Sequence, residues 1–250
     1  MAKIPERRVV LAMMAHPDDA EILCGGTLRR LEQLGWEIHI ATCTPGDCGS
    51  MTENRWQISA RRTNEATQAA ASLNARYHCL DERDCFVCYD KTTLAKMYDL
   101  FRRITPSLVF THSPRDYMCD HEQASYLTRA ACFGFGTPNV SFFPLLPGTG
   151  VPYLYYCDTI DGRGPLGEPI EPTTYVDIGD ALEEKLRALA CHESQREWLR
   201  AYHGMDEYLD SVRRRASERG REIRVASAEC FVQHRGHAYP EDDLIAELLH

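Results

Sequence analysis

Short apolar runs alternate with longer stretches of helical period along the first half of the chain. Residues 8–15 read as a buried strand, a short apolar run that His-Pro ends. Residues 24–34 carry helical spacing, with Leu23, Leu28, Leu31 and Leu34 on one face and Gly35 in the C-terminal position. Residues 36–43 form the next strand, 44–54 a loop rich in Gly, Asp, Ser and Thr, and 55–73 a long helix with an Ala-rich face. A strand at 77–80, a helix at 92–104 and a strand at 107–111 follow. The alternation β-α-β-α-β-α-β, with helix-length crossovers, predicts an α/β fold with a parallel sheet covered on both faces.

In such sheets ligands sit beyond the carboxyl ends of the strands. The unusual residues fall there: His16 after the first strand, the loop at 46–50 after the second, Asp84 after the third and the segment 112–121 after the fourth. A further helix is predicted over 120–133, where Asp120 and Gln123 have capping-box spacing. Beyond it lie a Pro- and Gly-rich segment at 134–172 holding a strand at 153–157, a strand at 175–178, a helix from 180 to about 214 broken near Gly204, and a strand at 226–232. An irregular tail from His234 ends in a short helix. No repeat or linker-like shift divides the chain, so it reads as one domain over 1–250, with a core at about 7–133 and a C-terminal elaboration at about 134–250.

Composition narrows this further. Hydrophobic residues make up 44% and charged residues 26%, which excludes disorder, collagen and coiled coil. The net charge of −9 argues against a nucleic-acid partner and against attraction to anionic lipid. The longest apolar run, Val9 to Ala15, is far short of the roughly 18 residues of a membrane span. With no h-region and cleavage site at the start, the expected location is cytoplasmic. Eleven cysteines, an odd count, read as reduced thiols, most of them in apolar stretches; Cys85 and Cys88 form one C-x-x-C with no second pair.

The sharpest chemistry is Ala15-His16-Pro17-Asp18-Asp19-Ala20-Glu21. At the start of a helical turn His16 and Asp19, three apart, point the same way. Asp18 is turned aside and can lean over an open coordination site, an arrangement that suits a hydrolytic metal centre. Capping acids at a helix N-terminus would explain the two aspartates but not His-Pro. A third ligand is needed, and His121 and His112 both lie on the same sheet edge.

With these residues the chain resembles the LmbE/PIG-L family of zinc-dependent N-deacetylases, which act on N-acetylglucosamine-type substrates. The likeness rests on AHPDDAE, on Gly25-Gly26-Thr27-Leu28, on the TPGDCGS loop at 44–50 and on Arg62-x-x-Glu65. Later in the chain it rests on Lys185, Ala188, Leu189 and His192-Glu193-Ser194-Gln195, and on Ala228-Glu229-Cys230-Phe231. The resemblance implies a doubly wound, Rossmann-like, mostly parallel sheet; it also implies that His16, Asp19 and His121 bind Zn2+, and that Asp18 is the general base for a zinc-bound water that attacks the acetamide. It further implies that acetate is released and that Arg62 lies near substrate or acetate oxygens, an ion pair with Glu65 being the plain alternative. The partner implied is a small amino sugar, and family members often form trimers or hexamers.

One departure stands out. The family's H-x-D-H reads Met118-Cys119-Asp120-His121 here, and Met can neither donate a proton nor a hydrogen bond. Asp18 acting as both base and acid, another histidine, or a weakly active or non-catalytic metal- or sugar-binding relative would each answer it. His237, in the His-rich tail, is the expected replacement, from a lid or a neighbouring subunit, with His192 second. His39, His78 and His203 read as structural. Trp56, Tyr117, Phe133, Phe135 and Tyr155 are the aromatic candidates for stacking on a sugar, and Cys119 for lining the site.

Overall fold

The computed structural model describes residues 4–203 and 208–249, with the backbone alone at 202 and 203. The side chain of His203 and the expected break near Gly204 lie outside the described residues. The described residues form a seven-stranded sheet in the order β3-β2-β1-β4-β5-β7-β6. Strands β1 (Val9–Met14), β2 (Glu37–Thr42), β3 (Ala75–Cys79), β4 (Leu108–Thr111) and β5 (Tyr153–Cys157) run parallel. Strand β7 (Ala228–Gln233) is antiparallel to β5, and β6 (Thr174–Asp177) is antiparallel to β7. The sheet is therefore mixed, with a doubly wound parallel core. The chain leaves β1 toward β2 and β3 and then returns to β4 on the other side, so the topological switch lies between β1 and β4.

Burial explains the apolar run in β1. Val10, Ala12 and Met14 pack on one face with Leu28, Leu31 and Ile178. Val9, Leu11 and Met13 pack on the other with Phe101, Leu127 and Cys132. A central parallel strand covered on both sides has no polar face to show.

The helix predicted at 24–34 is α2 (Gly25–Gln33), and a separate short helix, α1 (Asp19–Leu23), precedes it, the two being divided at Cys24. The break lets the start of α2 meet distant partners. Glu229 of β7 accepts from Gly26 N–H at 2.9 Å and Thr27 N–H at 2.7 Å, and Lys185 Nζ donates to Glu229 at 2.6 Å and to the Ile22 carbonyl at 2.7 Å. A carboxylate at a helix N-terminus satisfies orphan donors and meets the positive end of the dipole. Gly26 also sits so close to Ile178 that a Cβ would lie 2.8 Å from it.

The next helices are α3 (Arg55–Ser72), opened by an Asn54–Gln57 capping box, α4 (Lys91–Ile104) and α5 (Cys119–Gly134). The predicted helix from 180 to 214 is three: α6 (Leu182–Leu189), α7 (Glu193–His203) and α8 (Tyr208–Ile223). The break before α7 also has a tertiary cause, because Ser194 donates its N–H (3.1 Å) and hydroxyl (2.5 Å) to Glu65 on α3. A short α9 (Leu244–Leu248) closes the described chain. No described helix is long and apolar enough to cross a membrane.

His39 and His78 face each other on β2 and β3, Nδ1 to Nε2 at 2.8 Å with stacked rings. Burial lowers both, His78 from 6.5 to about 4. Between those values the folded protein holds fewer protons than the unfolded chain, so stability falls as pH drops through that window. For a half-buried side chain, screening leaves an effect of about 1 kcal/mol. Urea midpoints measured across this range should drop toward acid in the wild type and less steeply in His78→Gln.

Candidate metal centre and its surroundings

The site forms at the switch between β1 and β4. Asp19 opens α1, and its Oδ2 accepts from the His16 backbone N–H at 2.7 Å. His16 Nδ1 lies 3.4 Å from Asp19 Oδ2, and His121 Nε2 lies 3.6 Å from Asp19 Oδ1. One ligand atom from each of His16, Asp19 and His121 falls within 4.8 Å of the others. All three residues are buried.

The outer nitrogens are held as well. His16 Nε2 faces Asp120 Oδ2 at 3.3 Å and Asp84 Oδ1 at 3.2 Å. His121 Nδ1 donates to Asp116 Oδ1 at 3.0 Å. An imidazole with one nitrogen toward a shared centre and the other tied to a carboxylate is the arrangement that orients metal-binding histidines. With two imidazoles and one carboxylate, the donor set fits a divalent zinc-type ion. Burial opposes a charge on His16, but Asp120, Asp19 and Asp84 outweigh it and hold its pKa well above the ordinary value. Burial likewise works against ionised Asp19, and His121 and His112 nevertheless bring it well below the usual carboxylate range. His112, the alternative third ligand, is fully buried, stacks on His121 with centroids 3.9 Å apart, and brings Nε2 to 3.1 Å from Asp19.

Asp18 stands beside this cluster with a left-handed backbone, φ 98°. That conformation is uncommon outside Gly, and such strain gathers at functional sites. Its Oδ1 lies 3.5 Å from Arg62 Nη2, and its Oδ2 accepts from Tyr208 Oη at 2.5 Å. Burial raises the Asp18 pKa, and the Arg62 guanidinium opposes the rise. Arg62 is buried, donates to the Pro17 carbonyl at 2.8 Å, and leaves Nε without a partner. The alternative Arg62–Glu65 pair does not form, because Glu65 is taken by Arg61 and Ser194. Gly46, at φ +71°, gives Arg62 its room, since a Cβ there would collide with the guanidinium.

Other expectations need correction. Asp120 is not the cap of α5. Met118 holds that position without a side-chain bond, while Asp120 turns to His16 and to Cys85 N–H at 2.8 Å, and Gln123 accepts from Tyr89 N–H. Among the aromatic candidates Phe135 and Tyr155 are core, whereas Trp56, Phe133 and Tyr117 are exposed and Tyr117 meets the His121 ring edge-on at 5.6 Å. Cys119 is exposed. His237 is exposed on the loop after β7. His234 ties that loop down by bonding Tyr156 and packing on Tyr239, and His237 belongs to none of the metal-ligating clusters found among the described residues. His192 is buried 3.5 Å from Glu21.

Sequence reasoning missed Tyr208, Asp116 and the roles of Asp84 and Asp120. Asp84 had a signal, a carboxylate just past a strand at the carboxyl edge. Tyr208 had none, being 190 residues from Asp18.

The family described as "PIG-L: GlcNAc-PI de-N-acetylase" matches residues 11–132, the span that holds His16, Asp18, Asp19 and His121. The chain is 28% identical over 197 residues to the diacetylchitobiose deacetylase of Thermococcus kodakarensis, covering 74% of this chain and 69% of that one. It is 25% identical over 240 residues to the 4-oxalmesaconate hydratase of Pseudomonas putida, covering 92% and 88%. The solved N,N'-diacetylchitobiose deacetylase of Pyrococcus horikoshii superposes with a TM-score of 0.77 at 25% identity, over 96% of this chain and 89% of that one. A fold shared along nearly the whole chain, and a sequence match that spans the buried histidines and aspartates at the switch point, make this protein similar to the PIG-L de-N-acetylases, enzymes that hydrolyse amides.

Proposed function

We propose that this protein removes the acetyl group from an N-acetylated amino sugar of the N-acetylglucosamine type, releasing acetate. The observation that carries the reading is the convergence of His16, Asp19 and His121, with Asp18 beside them and outside the ligand set. His16, Asp19 and His121 would hold Zn2+, which when bound supplies a Lewis acid for the acetamide carbonyl and lowers the pKa of water. Asp18 takes the proton from the attacking water at one of its carboxylate oxygens. An ionised carboxylate has about four acceptor sites, so the contacts of Arg62 and Tyr208 leave lone pairs free. Arg62, expected to touch substrate, acts here by orienting Asp18 through Pro17 and its own charge. Tyr117, exposed beside His121, offers a face for the sugar ring.

Met118 leaves the leaving amine without the family's proton donor. We assign that task to His237 of a second copy, because it is exposed and belongs to none of the clusters formed within one chain among the described residues. Exposed Phe133, Phe142 and Leu166 flank or lie within the segment 134–172 and favour association in a homo-oligomer, a trimer or hexamer. His237→Ala should cut turnover by about 10²-fold with metal content unchanged; an unaltered rate removes His237 from the reaction.

The test of function is acetate release from N-acetylated sugars by the reduced, metal-loaded protein. Release should stop with a chelator and return with Zn2+. The coverage of the hydratase relative supports a second reading, water addition to an unsaturated acid, since the same base and ligands would serve. Consumption of 4-oxalmesaconate without acetate release from any N-acetyl sugar would decide for it.

A further inference from the structure

The C-x-x-C at Cys85 and Cys88 is not a pair, since Cys88 turns to Asp90 at 3.3 Å. Cys85 meets Cys48 instead, from the loop after β2. One atom each from Cys48, Asp84 and Cys85 lies within 4.8 Å of the others. Both cysteines are exposed, and Asp84 is buried between them and the cluster described above. Cys48 Sγ lies 3.3 Å from the Asp84 carbonyl, and Cys85 Sγ lies 3.6 Å from Asp84 Oδ1. The same Oδ1 faces His16 Nε2 at 3.2 Å.

The positions are built rather than incidental. Asp84 N–H donates to Asp47 at 2.8 Å, and Cys85 N–H donates to Asp120 at 2.8 Å. Cys85 itself is held at φ +66°. Two loops of different strands are thereby fixed so that two sulfurs and a carboxylate share one small volume open to solvent.

We infer that Cys48, Cys85 and Asp84 form an accessory site for a soft divalent cation of the zinc or cadmium type. Thiolate ligands select such ions over Mg2+ and Ca2+. Two sulfurs and one carboxylate oxygen leave a fourth tetrahedral position to water. Each thiol that binds releases its proton to solvent, so the cation replaces two S–H bonds by two metal–sulfur bonds with no change of oxidation state. Asp84 is the link to the first cluster. Drawn toward the accessory ion, its Oδ1 leaves His16, so occupation should reduce turnover.

The experiment uses the full-length protein, reduced and loaded with one equivalent of Zn2+, and titrates Cd2+ while reading the ultraviolet thiolate-to-cadmium charge-transfer band and bound metal by mass spectrometry. The wild type should gain one further equivalent with the band. Cys48→Ser/Cys85→Ser should lose both while keeping the first metal ion, which shows that it folds. Cys88→Ser/Cys119→Ser should behave as the wild type. A wild type without the band, or a Cys48→Ser/Cys85→Ser protein that keeps it, overturns the site. Because the readout is metal and not acetate, the outcome is independent of which substrate the enzyme takes. Added Cd2+ should also inhibit the wild type more than the double variant, and equal inhibition of both overturns the link through Asp84.

Discussion

Asp18→Asn should lower turnover by about 10²–10⁴-fold, the range by which a positioned general base accelerates a reaction, with bound metal at the wild-type level. The substitution is chosen for its restraint. Asn keeps the shape of Asp and, like Asp, tolerates the left-handed backbone that position 18 adopts at φ 98°. Its carboxamide oxygen can still accept from Tyr208, which donates to Asp18 at 2.5 Å. What is lost is a basic oxygen beside the cluster. Metal analysis and acetate release on one sample separate the two roles open to this residue. Loss of rate with metal retained identifies proton transfer. Loss of both would make Asp18 a support for His16 and Asp19, and a wild-type rate would remove it from the reaction.

The second large effect lies away from the chemistry. Lys185→Met should destabilise the protein by about 3–5 kcal/mol, because it leaves the Glu229 carboxylate buried without its cation. For a chain of this length that is a fall of about 6–20 °C in Tm. Lys185 and Glu229 are 2% and 5% exposed, so water cannot replace the lost partner. Adding Glu229→Gln to Lys185→Met should restore part of the loss, since the orphaned charge goes while an amide oxygen can still accept from Gly26 or Thr27. Thermal unfolding of both singles and the double closes the cycle and gives the coupling directly. A cost below about 1 kcal/mol for Lys185→Met would mean that Gly26 and Thr27 alone sustain the carboxylate.

These two residues show what motif reading does and does not distinguish. Gly25-Gly26-Thr27-Leu28, the Lys185 helix and the Glu229 strand stand apart in sequence, and nothing local says they meet. They are one structural joint, the closure of the α2 N-terminus. His16, Asp18 and Asp19, by contrast, were readable as chemistry because the strand end, the His-Pro turn and the helical i, i+3 spacing are all local.

Local pattern determined a good deal by itself. Apolar runs and helical periods are properties of neighbouring residues, so the parallel α/β order, the sheet edge that carries the site and the candidate ligands could be read directly. Helix ends were less legible. The break before Glu193 arises because Glu65 on a distant helix offers acceptors to Ser194, and these compete with continuation of the helix. The partners of the site were decided only in three dimensions. Asp84 and Asp120 lie 68 and 104 residues from His16, and Tyr208 lies 190 from Asp18. Cys85 chose Cys48 over its near neighbour Cys88 because its left-handed backbone and the hold of Asp120 on its N–H turn it toward the neighbouring loop. Sequence spacing sets which side chains share a turn; the crossing of the chain between β1 and β4 sets which turns share a site.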